Sequence, residues 1–131
     1  MISVLLTTES HFPVDRSKIK QAIIESLAKK VLSRAEVSVT IVGDRRMREL
    51  NQRYRQIDDT TDVLSFPQND PSVASLPFVA PPDNVLRLGD IVVSYPQALE
   101  EAAETNKLVD EMIVELVLHG LDHLLGIHHP E

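Results

Sequence analysis

The chain contains no cysteine. It therefore has neither a disulfide framework nor a thiolate ligand, and any metal it binds must be held by nitrogen or oxygen. The same absence is compatible with a reducing compartment, and a cytoplasmic location is expected. Long apolar runs are missing too. The one near the C-terminal end is broken by Asp110, Glu111, Glu115 and His119, so no window reaches the roughly 20 residues of a membrane span, and no membrane partner is expected. Met1 to Thr7 is apolar but short and gives way at once to polar residues, so no export signal is expected there. Basic residues are outnumbered, 13 Lys and Arg against 20 Asp and Glu, for a net charge of −7. That balance points away from a general nucleic-acid binder without excluding a local basic patch.

Histidine, by contrast, is concentrated. Four of the five histidines lie in the last thirteen residues, and three of them form the pattern His119-x3-His123-x2-Gly126-x2-His129. Residues four apart on a helix differ by about 40° in rotation and ~6 Å in rise, so His119 and His123 project from one face on successive turns. Gly126 accepts the left-handed conformation that ends many helices, which lets the chain turn and bring His129 back toward the pair. Three imidazoles and one open position is the arrangement of a catalytic zinc, since a structural zinc normally fills all four places. A lone histidine in so apolar a segment would more often be a hydrogen-bonded core residue; three at this spacing favour one bound ion per chain. His128 is adjacent to a ligand and reads as a bystander or support residue, and His11 has no motif around it.

Hydrophobic periodicity orders the rest of the chain. Ile2 to Thr7 and Val37 to Val42 are β-rich, and between them Ile19, Ala22, Ile23, Leu27 and Val31 recur at helical spacing after the cap Asp15. Asp44 is read as the cap of a second helix whose inward face is Met47, Leu50, Asn51 and Tyr54, and which makes a second crossover into the strand Asp62 to Phe66. Pro67, Pro71, Pro77, Pro81 and Pro82 mark a surface loop before a strand at Leu88 to Val93. Ser94 and Gln97 form a capping box, with Pro96 in the first turn of a helix running to about Glu104. The histidine helix, apolar almost all round from Leu108 to Leu125, closes the chain and is expected to be the most buried. The expected fold is therefore α+β: one domain over residues 1–131, with a small mixed four-stranded sheet in β-α-β-α-β-β-α-α order, packed helices and a buried C-terminal metal-binding helix. Arg45, Arg46, Arg48, Arg53 and Arg55 crowd the second helix, and Glu100, Glu101 and Glu104 the third; both clusters read as solvated helix faces.

Three blocks of this sequence together resemble the YbeY family of bacterial endoribonucleases and ribosomal RNA maturation factors. They are Leu50-Asn51-Gln52-Arg53-Tyr54-Arg55 with Asp58 and Thr61-Asp62-Val63-Leu64-Ser65-Phe66-Pro67; Leu88-Gly89-Asp90-Ile91-Val92; and the tail from His119 to His129. The resemblance implies a zinc ion on His119, His123 and His129, and cleavage of single-stranded RNA in small-subunit ribosomal RNA maturation and ribosome quality control. It implies RNA, and with it small-subunit proteins or assembly factors, as partners. It also implies that Arg55 matches a functionally important arginine. A guanidinium there can hold a phosphate with two hydrogen bonds and stabilise charge developing in the transition state; its alternative is a helix-terminal cation favoured by the dipole.

The sequence departs from that family in three places. His128 stands where the family has aspartate, Asp122 where it has an apolar residue, and Thr60 where it has proline. Asp122 is read as a substitute partner for His123, and His129, two residues from the end of the sequence, as a ligand prone to fraying. Two other functions share the histidine pattern. One is a metzincin-like metalloprotease, disfavoured because Gly120 occupies the position of the glutamate such enzymes use as base. The other is a ribosome-assembly factor with a mainly structural metal, which the acidic balance favours.

Overall fold

A computed structural model describes residues 2–9, 11–31, 34–68 and 85–126. Within them the elements run β1 (Ile2–Thr8), α1 (Arg16–Ala28), β2 (Arg34–Val42), α2 (Asp44–Arg55), β3 (Val63–Pro67), β4 (Val85–Ser94), α3 (Tyr95–Glu104) and α4 (Val109–Leu124). This is a mixed α+β arrangement with four helices and a four-stranded sheet. The strands are ordered β1-β2-β4-β3, the first three parallel and β3 antiparallel to β4. The expected proline loop lies mostly at residues 69–84, outside the described residues.

Alternation along the strands divides the apolar side chains between two faces. Leu6, Val37, Val39, Ile41, Ile91 and Val93 point to one side, where they meet Ile19, Ile23 and Leu27 of α1, Ala98 and Ala102 of α3, and Ile113, Val117 and Leu121 of α4. Val42, Leu64 and Val92 point to the other, where, among the described residues, Met47 of α2 packs on them. Residues Leu88 to Ser94 of β4, an interior strand, are buried except Asp90, as befits a strand covered on both sides. A bulge interrupts that strand: Glu36 pairs with Arg87 but Val37 pairs with Gly89, so Leu88 is the extra residue. Gly89 has φ +135, and a Cβ there would lie 2.2 Å from the Phe66 carbonyl oxygen, so the close approach of β3 requires glycine.

The second crossover expected from the sequence does not form. After α2, the left-handed Gln56 (φ 58) reverses the chain, which returns along the helix instead of entering the sheet at its far end. Three α2 side chains at i, i+4 and i+7 hold it there. Arg48 donates to both oxygens of Asp58 at 2.8 and 3.1 Å, Asn51 Nδ2 donates to the Asp59 carbonyl at 2.9 Å, and Thr60 Oγ1 donates to Asp44 at 2.9 Å. The chain therefore reaches Asp62 beside the C-terminal end of β4, where the Ser94 amide donates to the Asp62 carbonyl at 2.9 Å, and β3 can only run antiparallel.

Asp44 is accordingly not the cap of α2. It is the first helical residue, Gly43 precedes it without a side-chain cap bond, and its carboxylate instead accepts from Thr60, Ser94 and Gln97. The other two caps form as expected, Asp15 accepting from the Lys18 amide and Ser94 from the Gln97 amide. The Gln97 side chain, however, reaches Asp44, so half of the expected capping box is diverted to the junction between α2 and α3.

Candidate metal centre

The histidine helix is not buried all round. Its buried residues, Met112, Ile113, Leu116, Val117, Gly120 and Leu121, form one stripe against the sheet, and His119 and His123 stand exposed at its edge. Gly120 sets how close the helix comes to β4, since a Cβ on it would meet Ile91 Cγ2 at 3.1 Å. The two imidazoles are neighbours, with ring centroids 4.8 Å apart and planes at 74°. Gly126 takes the left-handed conformation expected of it (φ +78), and its amide donates to the His123 carbonyl at 3.1 Å, ending the helix. His128 and His129 lie outside the described residues. Among the described residues no group of three or more metal-binding side chains occurs. The two histidines that are described could fill two adjacent places on one ion: both are solvent-facing nitrogen donors on successive turns of one helix.

Both imidazoles line an open cleft of about 420 Å³ whose other walls are Arg55, Thr61 to Ser65 and Gly120. Three remote segments thus converge on it. The stapled return of residues 57–62 matters here, because it places Thr61 and Asp62 in the same cleft as the last residue of α2, Arg55. Asp62 is itself oriented by the Val63 amide, which donates to its Oδ1 at 2.7 Å. Among the described residues Arg55 has no ion pair, and its charge is available to the cleft.

Sequence reasoning missed two features. Glu101, read as one of a solvated acidic face, meets Asp62, and its Oε2 is buried with no hydrogen-bond partner among the described residues. Burial first, then the hydrogen bond and charge of Asp62, with smaller effects from Glu104 and Glu100, push its pKa up to about 7. The Glu101 carboxyl can thus hold a proton near neutrality beside Asp62, which lines the cleft. Arg48, also read as solvated, is the guanidinium that clamps Asp58. The hydrogen bond and charge of that pair hold the Asp58 carboxyl below its ordinary range and raise Arg48 above its own. The polar side chains Asp44, Arg48 and Asn51 at one-face spacing were the available signal. Asp122, read as a support for His123, also accepts from Lys30 Nζ, just beyond the end of α1, at 2.7 Å. Thr60 uses its hydroxyl to bind Asp44, a bond that proline could not make.

The model of the family described as Endoribonuclease YbeY matches residues 6–131. Relatives of that name include one from Dehalococcoides mccartyi, 40% identical over 101 residues, covering 74% of this chain and 63% of that protein. Another, from Roseiflexus castenholzii, is 35% identical over 130 residues, covering 98% of this chain and 79% of its own length. The chain thus spans less than two thirds of the first of these relatives. Among solved structures, the solution structure of TM1509 from Thermotoga maritima is similar at a TM-score of 0.61 and 28% identity, covering 97% of this chain and 75% of that one.

Proposed function

The chain belongs to the YbeY endoribonuclease family, and from that premise we propose that it is a zinc-dependent, single-strand-specific endoribonuclease of small-subunit ribosomal RNA maturation and ribosome quality control. The observation that carries this reading is the convergence of His119, His123 and Arg55 on one cleft. His119 and His123, with His129 as the third ligand, would hold one zinc ion in a metzincin-like site. Bound there, zinc supplies a Lewis acid and lowers the pKa of a coordinated water toward ~7.

The chain's own residues do the rest. The Arg55 guanidinium takes two oxygens of a phosphate bidentately and meets negative charge as it develops there, a contribution of about 3–4 kcal/mol in comparable sites. Its helix-terminal position adds a favourable dipole without removing that role. The cleft is open, which suits a strand passing through it. Gly120 lacks the glutamate a metalloprotease uses as base, and a side chain there would press on Ile91, its Cβ lying 3.1 Å from Cγ2. The net charge of −7 favours small-subunit proteins or assembly factors as partners that deliver the RNA, since an acidic surface binds naked RNA weakly. Such a substrate would be met in the cytoplasm, the location this reading proposes.

The test is cleavage of a single-stranded ribosomal RNA fragment by zinc-loaded protein, with His123→Ala and a chelator as controls. Cutting that both controls abolish supports the reading. Removing a ligand should weaken zinc binding by more than the roughly 100-fold that outer partners are worth. A protein that binds zinc and leaves the RNA intact would move the assembly-factor reading ahead.

A further inference from the structure

The end of α2 carries Arg53, Tyr54 and Arg55 in succession. Successive helical residues are about 100° apart, so the three side chains fan out around the helix end. Arg55 reaches the histidine cleft; Tyr54 lies on the other side of β3, in a second hollow of about 440 Å³ that it lines with Phe66, Leu50 and Arg46. Tyr54 is 53% exposed, which is unusual for so large a ring. It is nonetheless held in place. Phe66, anchored in the small core beneath α2, meets it with ring centroids 5.0 Å apart and planes at 58°, and the Arg53 guanidinium lies 5.6 Å from its centroid.

The charges distinguish this helix end from the rest of α2. Arg45 and Arg46 pair with Glu49, and Arg48 with Asp58, whereas Arg53 and Arg55 have no ion pair among the described residues. Two uncompensated guanidinium groups flanking a half-exposed aromatic ring suit a ligand that is flat and polyanionic. Glu9 and Asp90 also line the hollow, so the ligand's charge must lie on the α2 side and its flat part over the ring. A nucleotide has that shape.

We propose that Tyr54, backed by Phe66 and flanked by Arg53, is a base-stacking subsite that seats a nucleobase of single-stranded RNA beside the phosphate held at Arg55. The proposal rests on the RNA reading above and gives that substrate a direction: the strand crosses the edge of the sheet at β3, phosphate in the histidine cleft, base on the α2 side. Stacking is indifferent to sequence because every base has a π-face, so the subsite selects unpaired bases rather than particular ones.

The experiment is a stopped-flow titration of zinc-loaded protein with a short single-stranded RNA carrying 2-aminopurine, whose fluorescence falls on stacking, read before any turnover. An otherwise identical abasic strand is titrated by anisotropy in parallel. Tyr54→Ala should abolish the quenching and weaken the base-bearing strand about tenfold, the exposed end of the range for one stacked base. It should leave the abasic strand unchanged, and Tyr54→Trp should restore both signals. Absence of quenching with the wild-type protein, undiminished binding by Tyr54→Ala, or an equal loss on the abasic strand overturns the subsite. If quenching depends on Tyr54 while the RNA stays uncut, the nuclease reading fails and the subsite stands; if RNA is cut and Tyr54→Ala binds normally, the reverse holds.

Discussion

Replacing Asp44 by alanine removes the acceptor at which three segments meet. Thr60 Oγ1 donates to it at 2.9 Å, Ser94 Oγ at 2.8 Å and Gln97 Nε2 at 3.2 Å. Ser94 is fully buried, at 0% exposure, so its hydroxyl loses a charged partner with no water to take over, a loss of about 1–3 kcal/mol. Thr60 and Gln97 are half-buried and regain water, adding about 0.5 kcal/mol each. The expected destabilisation is about 3 kcal/mol, which for a domain of this size lowers Tm by about 10 °C. Urea unfolding of Asp44→Ala, Ser94→Ala and the double variant measures it. Because Ser94→Ala removes the orphaned hydroxyl, the double variant should recover about 1 kcal/mol relative to the sum of the singles. Amide exchange should also accelerate at residues 60–62, since the Thr60 bond holds the segment that carries Asp62 into the cleft. A loss below about 1 kcal/mol, or strict additivity, would refute the argument that this carboxylate ties α2, the returning chain and α3 together.

Glu101 gives a pH-dependent outcome. Its folded pKa, up to about 7 from an ordinary 4.5, means that the folded protein binds more protons than the unfolded chain, so this group makes stability fall as pH rises from about 4.5 through 7. Glu101→Gln lacks that ionisation, and its stability relative to wild type should rise between pH 5 and pH 8 in urea unfolding; an identical gap at both pH values contradicts the burial of this carboxyl against Asp62. Gly120→Ala sets helix propensity against packing. Alanine favours the helix by about 1 kcal/mol, but its Cβ would press on the fully buried Ile91 at 3.1 Å, and overpacking of that kind costs about 1–3 kcal/mol. Thermal unfolding should show a net loss, and a stabilised variant would mean that α4 can lift off β4.

Much of the fold is legible in local patterns because each depends on neighbours in the chain. The period-2 and period-3.6 runs locate the strands and helices, Asp15 and Ser94 start helices where short polar side chains can accept from the first turn, and Gly126 ends one because only its backbone takes φ +78 without penalty. The pairing of His119 with His123 is of the same kind, a consequence of helical geometry alone. Everything that joins distant segments depends on the tertiary fold. Asp44 looks like a cap, but an acceptor goes to the strongest donors within reach, and the fold brings it the buried Ser94 hydroxyl and the Gln97 amide. The direction of β3 depends on a chain reversal at Gln56, a non-glycine residue with positive φ that no composition rule marks. The amphipathic placement of α4 depends on which of its many apolar residues the sheet has room to cover. Glu101 and Asp62 are far apart in sequence, so the raised pKa of Glu101 is invisible until the fold brings α3 beside the segment that leads into β3. The amino-acid order thus determined the elements and the pairing of His119 with His123, which follow from short-range sterics and periodicity; only the folded structure decided the cleft, because a cleft is made of partners that long-range packing chooses.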